Sequence, residues 1–258
     1  MKIEVYVISH KEFEKPKIDC YKSLLVGADY NNAKLDIADN VGDNISWKNK
    51  NYCELTGLYW MWKNSKADIL GLCHYRRYFT KSLVSSSQKY YLNAEDINSL
   101  FKKYDIVVPC KRYYKERSIQ AINIAPNMED IWEIEKAIAK LAPEYLDVYH
   151  DYLNGNECYL YNMCIMKKDI LDQYCKWLFN LLDFIEKDYF VDNKDPYRSR
   201  LFGFLSERLI YVWITKNIDR RKVKEVRVVK TDETAIWLVG QSIKNRIRNI
   251  VYHLKNEN

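Results

Sequence analysis

Two adjacent arginines, Arg76 and Arg77, lie inside the run His74-Tyr75-Arg76-Arg77-Tyr78-Phe79, directly after the apolar segment Ile69 to Cys73. A guanidinium pair can hold a phosphate or carboxylate through bidentate, charge-assisted hydrogen bonds, and tyrosine faces can stack on a ring. The apolar segment reads as a strand buried on both faces, and the carboxyl end of such a strand is where an open α/β sheet puts its ligand. The same residues also fit surface charges beside core aromatics, and both readings stay open at this point.

The elements that would position these groups alternate between strand and helix. Ile3 to Ile8 makes a first strand that ends in Ser9, His10 and Lys11, an ending common in nucleotide-binding α/β domains. Leu24 to Ala28 is a short second strand. The polar stretch Asp39 to Asn51 follows; its Asp43 and Asn44 could shape turns in a solvated loop or hydrogen-bond a polar ligand. Glu54 to Asn64 is a helix, with Leu55, Leu58, Tyr59 and Trp62 on one face.

After the central strand, Ala94 to Lys103 is a helix capped by Asn93, and Asp105 to Pro109 is a strand. Residues 111–127 are basic, aromatic and irregular, which suits a loop over a site. Helices follow over Glu129 to Leu141 and from Pro143 to Leu153. The strand Tyr159 to Met166 contains a polar Asn162, which must find a partner or a ligand.

Asp169 to Tyr189 is a long helix, and Arg198 to Ile214 another that starts at a glycine turn. That start puts Ser206 and Glu207 in a first turn, where exposed amides favour a carboxylate. Val223 to Lys230 is a late strand. In the last segment Ile243, Ile247, Ile250, Val251 and Leu254 share a helical face with basic residues largely off it. Such a helix packs on its own domain or lies on an anionic membrane surface.

The composition narrows the function classes. A net charge of +6 is too modest for a dedicated nucleic-acid binder but allows an anionic ligand. Seven cysteines without paired spacing give neither a disulfide framework nor a zinc site. No signal peptide and no membrane-length apolar run is present, so the expected compartment is the cytoplasm. Twenty-two tyrosines and seven tryptophans would suit sugar or base pockets, or a plain core.

The alternation, the first strand and the ligand site at a central strand end resemble a GT-A glycosyltransferase. Where that fold usually ends its central strand in Asp-x-Asp around a divalent metal, this chain has His74-Tyr75-Arg76. Cations there point to direct neutralisation of a diphosphate; a UDP-sugar donor is expected and no metal ligand is named, with manganese or magnesium as the open alternative. The phrases G-D-N-I-S-W-K-N (42–49), Y-C-E-L-T-G-L-Y-W-M-W-K-N (52–64) and G-L-C-H-Y-R-R-Y-F (71–79) resemble one bacterial family. So do N-M-C-I-M-K-K (162–168), Y-C-K-W-L-F (174–179) and R-L-F-G-F-L-S-E-R-L (200–209).

It is the capsular and exopolysaccharide synthesis family long known as a domain of unknown function, whose members with an assigned activity are inverting galactofuranosyltransferases. The resemblance implies a GT-A-like catalytic domain over 1–240, with a mixed, mostly parallel sheet flanked by helices, and a basic amphipathic helix over 241–258. Ser9, His10 and Lys11 would line the uridine and phosphate end; His74, Arg76 and Arg77 would meet the diphosphate. Asn162 would touch the donor sugar, and Glu207 would be the base beneath the acceptor.

For Glu207 the alternative is a structural carboxylate paired with Arg208 or Arg200, with Asp130 and Asp43 as reserve bases and Glu54 and Asn44 in support. The implied acceptor is a lipid-diphosphate-linked oligosaccharide in capsule, exopolysaccharide or O-antigen synthesis, with possible peripheral membrane contact. Many members carry a Q-Y-x-x-x-H segment after the D-I-V-V-P strand, whereas R-S-I-Q-A-I-N-I-A-P-N-M-E-D (117–130) has no histidine, which leaves acceptor and donor identity open. A UDP-pyranose transferase on the same fold and a non-catalytic nucleotide- or glycan-binding scaffold are the rival readings.

Overall fold

A chain in which buried apolar strands alternate with one-faced helices closes its core by laying the helices on the sheet. The computed structural model describes residues 1–114, 117–118, 128–189 and 195–231. The expected tail helix and most of the 111–127 loop lie outside the described residues. In chain order the elements are β1 (Ile3–Ser9), β2 (Tyr21–Leu25), β3 (Ile37–Ala38), α1 (Asn49–Tyr52), α2 (Leu55–Asn64), β4 (Ile69–His74) and β5 (Arg77–Phe79). Then come α3 (Ala94–Phe101), β6 (Ile106–Pro109), β7 (Arg112–Tyr113), α4 (Met128–Leu141), α5 (Leu146–Asn154), β8 (Glu157–Cys158) and β9 (Cys164–Lys167). Last are α6 (Lys168–Asp188), α7 (Leu201–Asn217), β10 (Val223–Val226) and β11 (Val228–Lys230).

The main sheet runs β10-β6-β9-β4-β1-β2-β3, with β5 joined to β4 and β11 to β5. It is parallel across β4-β1-β2-β3 and between β10 and β6, and antiparallel on both sides of β9. From β1 the chain moves outward to β2 and β3, then returns to build β4 on the other side of β1. That reversal leaves a crevice at the carboxyl ends of β1 and β4, the place where such sheets bind ligands. Ile69 to Cys73 in β4 are all buried, as an apolar strand covered on both faces must be.

Helix α6 packs on β4 and β9 and also meets α2, α4 and α7, so one connected helical layer backs the centre of the sheet. Gly57 is what lets α2 sit so close: a Cβ there would lie 2.6 Å from Ile8 Cδ1 and 3.0 Å from Val26 Cγ1. Asn93 caps α3 as expected, and its reciprocal bonds with Asp96 make a capping box.

Four expectations need correction, the first being the strand expected over Tyr159 to Met166, which forms only at Cys164–Lys167. The second strand is Tyr21–Leu25, starting three residues before the expected Leu24. The late strand is two, β10 on β6 and β11 on β5, separated at Arg227. Helix α7 begins at Leu201, so Gly203 is inside it and Glu207 falls well beyond the first turn. The helix N-terminus is therefore not what acts on Glu207.

Candidate functional site

The run that opened the sequence argument is a hairpin. His74 ends β4 and pairs with Arg77 at the start of β5, leaving Tyr75 and Arg76 at the tip. The β1 register places Ile8 beside His74, and Tyr75 N–H donates to the Ile8 carbonyl at 3.1 Å. His10 and Lys11 thereby emerge next to the hairpin tip. Tyr75 is the hub: the His10 ring meets it edge-on at 5.6 Å, Lys11 Nζ lies 5.2 Å from its centroid and the Arg76 guanidinium 5.0 Å.

Burial, then Lys11, Arg76 and Arg200, push the His10 pKa down, so its imidazole is favoured neutral among those cations. Ser9 is spent on shaping this turn, its Oγ donating to the Lys11 carbonyl (2.6 Å) and accepting from Lys11 N–H (3.1 Å). The result is an exposed group of cations around an aromatic face, suited to an anionic, ring-bearing ligand.

Beside the hairpin lies a second cluster, and it is acidic. The β4–β9 register, extended two residues past Leu72–Cys164, brings Asn162 opposite His74. Asn162 is not inside a strand as expected; Tyr161 and Asn162 have φ of 75° and 52°, a left-handed turn just before β9. His74 Nε2 donates to the Tyr161 carbonyl at 2.7 Å, which fixes its tautomer and pins that turn. The Arg77 guanidinium stacks on the Tyr161 ring at 4.5 Å, and its Nε is buried without a partner among the described residues.

Asn162 is 2% exposed and joins three elements. Its Nδ2 faces Glu54 Oε1 at 2.8 Å, Ser206 Oγ at 2.9 Å and the Gly203 carbonyl at 3.1 Å. Gly203 allows α7 to come this near, since a Cβ there would meet Cys53 Cβ at 3.2 Å. Asn162 Oδ1 is buried with no hydrogen-bond partner among the described residues, an acceptor that a substrate hydroxyl could use.

Glu207 belongs to the same cluster. Burial first, and the Glu54 carboxylate second, push its pKa up to about 7, against the pull of Arg208, the Tyr161 N–H and Arg77. No ion pair joins Glu207 to Arg208 or Arg200 among the described residues; Arg208 Nη1 donates instead to the Phe204 carbonyl at 2.6 Å. Arg200 Nε donates to Cys53 Sγ at 3.5 Å, and burial pushes that thiol up to about 11, keeping it protonated. Arg200 interacts electrostatically with Glu54 and Glu207 as well as with His10 and His74, linking the acidic and cationic groups. A carboxyl poised near neutrality beside a set of fixed cations can move a proton while a neighbouring anion leaves.

The structure thus brings together His10, Lys11, His74, Arg76, Arg77, Asn162, Glu207, Glu54 and Arg200. It does not bring in the reserve acids. Asp130 is fully buried in a bidentate pair with Arg198 and accepts from Tyr189 OH at 2.7 Å. Asp43 is exposed and accepts from Tyr59 OH at 3.1 Å, while Asn44 bonds Gly42 and Ser46 within its own turn. Sequence reasoning missed Tyr161 and Cys53; the signal for the first was the polar Asn162 beside it, a residue type that tolerates left-handed backbone. A metal bound through the Asp-x-Asp position does not fit this hairpin, whose side chains there are an imidazole, a phenol and a guanidinium. Among the described residues no three His, Cys, Asp or Glu side chains converge elsewhere.

A family profile described as "Domain of unknown function (DUF4422)" matches residues 4–218, which hold the whole cluster. The chain belongs to this family. Among solved structures it is similar to the apo structure of WbbM, a bifunctional glycosyltransferase, with a TM-score of 0.82 and 29% identity over 90% of this chain and 46% of that one. The chain therefore spans about half the length of that protein. A second structure, the mannosyltransferase Ktr4p from S. cerevisiae, shares 15% identity over 78% of this chain and 57% of its own, at a TM-score of 0.34 that says nothing about the fold. No curated protein matches. The helix-flanked α/β fold expected from the sequence is the fold shared with that part of WbbM. No helix among the described residues is long and apolar enough to cross a membrane.

Proposed function

We propose that this family member is an inverting GT-A-like glycosyltransferase that takes a hexose, galactofuranose foremost, from a UDP donor to a lipid-diphosphate-linked oligosaccharide, at the cytoplasmic face of the membrane. The observation that carries the reading is the pairing of a cationic hairpin with an acid held near neutrality, Arg77 acting on Glu207 and Arg76 at the hairpin tip, on a fold shared with a glycosyltransferase. In this reading Glu207 accepts the proton of the attacking hydroxyl as that oxygen forms its bond to the anomeric carbon. The bond from that carbon to the diphosphate breaks on the opposite face, and its electron pair leaves on UDP, where Arg76, Arg77 and Lys11 meet the charge. The galactofuranose and the polysaccharide pathway rest on the sequence phrases quoted above.

Calorimetric titration of UDP in EDTA tests the donor half. UDP should bind without metal, and the double variant Arg76→Ala/Arg77→Ala should weaken it by about 30-fold, from charge-assisted bonds of roughly 2 kcal/mol. Binding that appears only when manganese is added would overturn direct neutralisation by arginine.

A further inference from the structure

Between Thr80 and Tyr91 the chain makes a closed loop that the proposed chemistry does not use. Its base is fixed to β5: Leu92 N–H donates to the Phe79 carbonyl at 3.0 Å, Lys81 N–H to the Tyr90 carbonyl at 2.9 Å, and Thr80 pairs with Tyr91. Its tip is tied by its own serines. Ser82 Oγ accepts from Val84 N–H (3.2 Å) and Ser85 N–H (3.0 Å), and Ser85 Oγ accepts from Ser87 N–H (3.2 Å). Arg227 Nη1 donates to the Leu83 carbonyl at 2.5 Å. Leu83 and Val84 stand at this tip, 66% and 53% exposed. A single exposed aliphatic is ordinary, but two in a row on a tied backbone cannot turn inward without breaking those bonds.

Cations surround the tip. Lys17 N–H donates to Gln88 Oε1 at 3.0 Å, which brings that exposed lysine to the loop, and Lys89 is exposed within it. Lys81 is neutralised by Asp96 at 2.7 Å, so Lys17, Lys89 and Arg227 carry the local charge. The basic carboxyl-terminal segment starts from the same flank: β11 pairs with β5, Thr231 N–H donates to the Arg76 carbonyl at 3.1 Å, and the sequence beyond carries Lys244, Arg246, Arg248 and Lys255. Two aliphatic side chains give far too little area for a stable protein interface, which needs about 800 Å² per partner and draws on aromatic anchors. An aliphatic tip ringed by lysine and arginine suits an anionic bilayer, with the apolar groups at the acyl boundary and the cations on lipid phosphates.

We infer that the Leu83-Val84 tip is a docking surface for an anionic lipid bilayer, with Lys17, Lys89 and Arg227 on the headgroups. The inference rests on the membrane placement proposed above and adds which face of the protein meets the lipid. Leu83 is six residues beyond Arg77, so even a fully extended chain keeps it within about 22 Å of the hairpin. Docking through the tip therefore brings the lipid surface close to the cationic group, where a lipid-linked acceptor would arrive.

Vesicle co-sedimentation of the full chain tests it, using phosphatidylcholine vesicles with and without phosphatidylglycerol, on the wild type and on the double variants Leu83→Ser/Val84→Ser and Lys17→Glu/Lys89→Glu. The wild type should bind the anionic vesicles. Each double variant should weaken that binding by about tenfold, one through lost apolar burial and the other through lost headgroup attraction. Melting temperature and calorimetric UDP affinity should be unchanged in both; if one variant melts early, the other decides. No wild-type binding, equal binding to neutral vesicles, or binding unchanged in Leu83→Ser/Val84→Ser overturns the assignment, the last by giving attachment to the carboxyl-terminal segment alone. Vesicle binding that the variants weaken as expected, in a protein that does not bind UDP, would keep the docking surface and overturn the transferase reading instead.

Discussion

Replacing Glu207 by glutamine should do two opposite things at once. The folded carboxyl has its pKa pushed from 4.5 to about 7, by burial first and Glu54 second, so its proton is bound more tightly in the folded chain than in the unfolded one. The stability this confers is fully present below the unfolded value of 4.5 and is lost as pH rises through about 7. Above that, the ionised acid costs the fold about 2–3 kcal/mol, at roughly 1.4 kcal/mol per pKa unit and discounting for partial exposure.

Glu207→Gln removes that cost. At pH 8.5 the variant should melt higher than the wild type by about 4–12 °C, given roughly 2–4 °C per kcal/mol in a chain of this size. At pH 4.5 the two should melt together. Turnover should fall by about 10²–10⁴, the usual worth of a general base. Differential scanning fluorimetry at the two pH values, with UDP release as the activity assay, reads both effects. Wild-type kcat/KM should also fall about tenfold per pH unit below about 7. A variant that melts lower at pH 8.5, or keeps its turnover, would refute the reasoning and leave Glu207 a structural residue.

Three further outcomes bear on the rest of the molecule. Asp130→Ala should cost about 3 kcal/mol of stability, because it deprives Arg198 of its buried carboxylate, and should leave UDP affinity alone; lost turnover at unchanged stability would return Asp130 to the site. Glu4 is 4% exposed; burial alone would raise its pKa, but Lys22, Ser65, Tyr6 and Lys2 override this and hold it at about 2. Its contribution, about 3 kcal/mol, is therefore present above pH 4.5 and lost as pH falls toward 2. Glu4→Gln should be less stable at pH 7, with the gap closing in acid during urea unfolding. Gly57→Ala should overpack α2 against Ile8 and Val26 and cost about 1–3 kcal/mol; an unchanged urea midpoint would mean that Ile8 swings clear.

Much of this was legible from local signals. The apolar run Ile69–Cys73 read as a doubly buried strand, and Asn93 announced the start of α3. The cationic turn at Ser9–Lys11 and the arginines of the hairpin stood at strand ends, where the order of elements predicts a ligand. What escaped depended on long-range geometry. Asn162 was read inside a strand because its neighbours are apolar, whereas it is a left-handed corner whose amide reaches Glu54, 108 residues earlier, and Ser206, 44 later. Glu207 was placed at a helix start because glycine usually marks an end; Gly203 is instead a point of close contact between α7 and Cys53. Asp130 resembled a spare base until Arg198 closed on it, and no local pattern announces a pair separated by 68 residues.

The most direct test of the account is a donor screen on the purified protein, offering UDP-galactofuranose, UDP-galactose and UDP-glucose with a synthetic lipid-diphosphate disaccharide, with and without EDTA. Transfer from UDP-galactofuranose alone, undiminished by EDTA and abolished in Glu207→Gln, is the predicted result. Transfer from a pyranose donor alone would discard the sugar while keeping the chemistry. Absence of transfer from every donor across an acceptor panel, with no UDP binding, would contradict the claim that the hairpin and Glu207 form a glycosyl-transfer site.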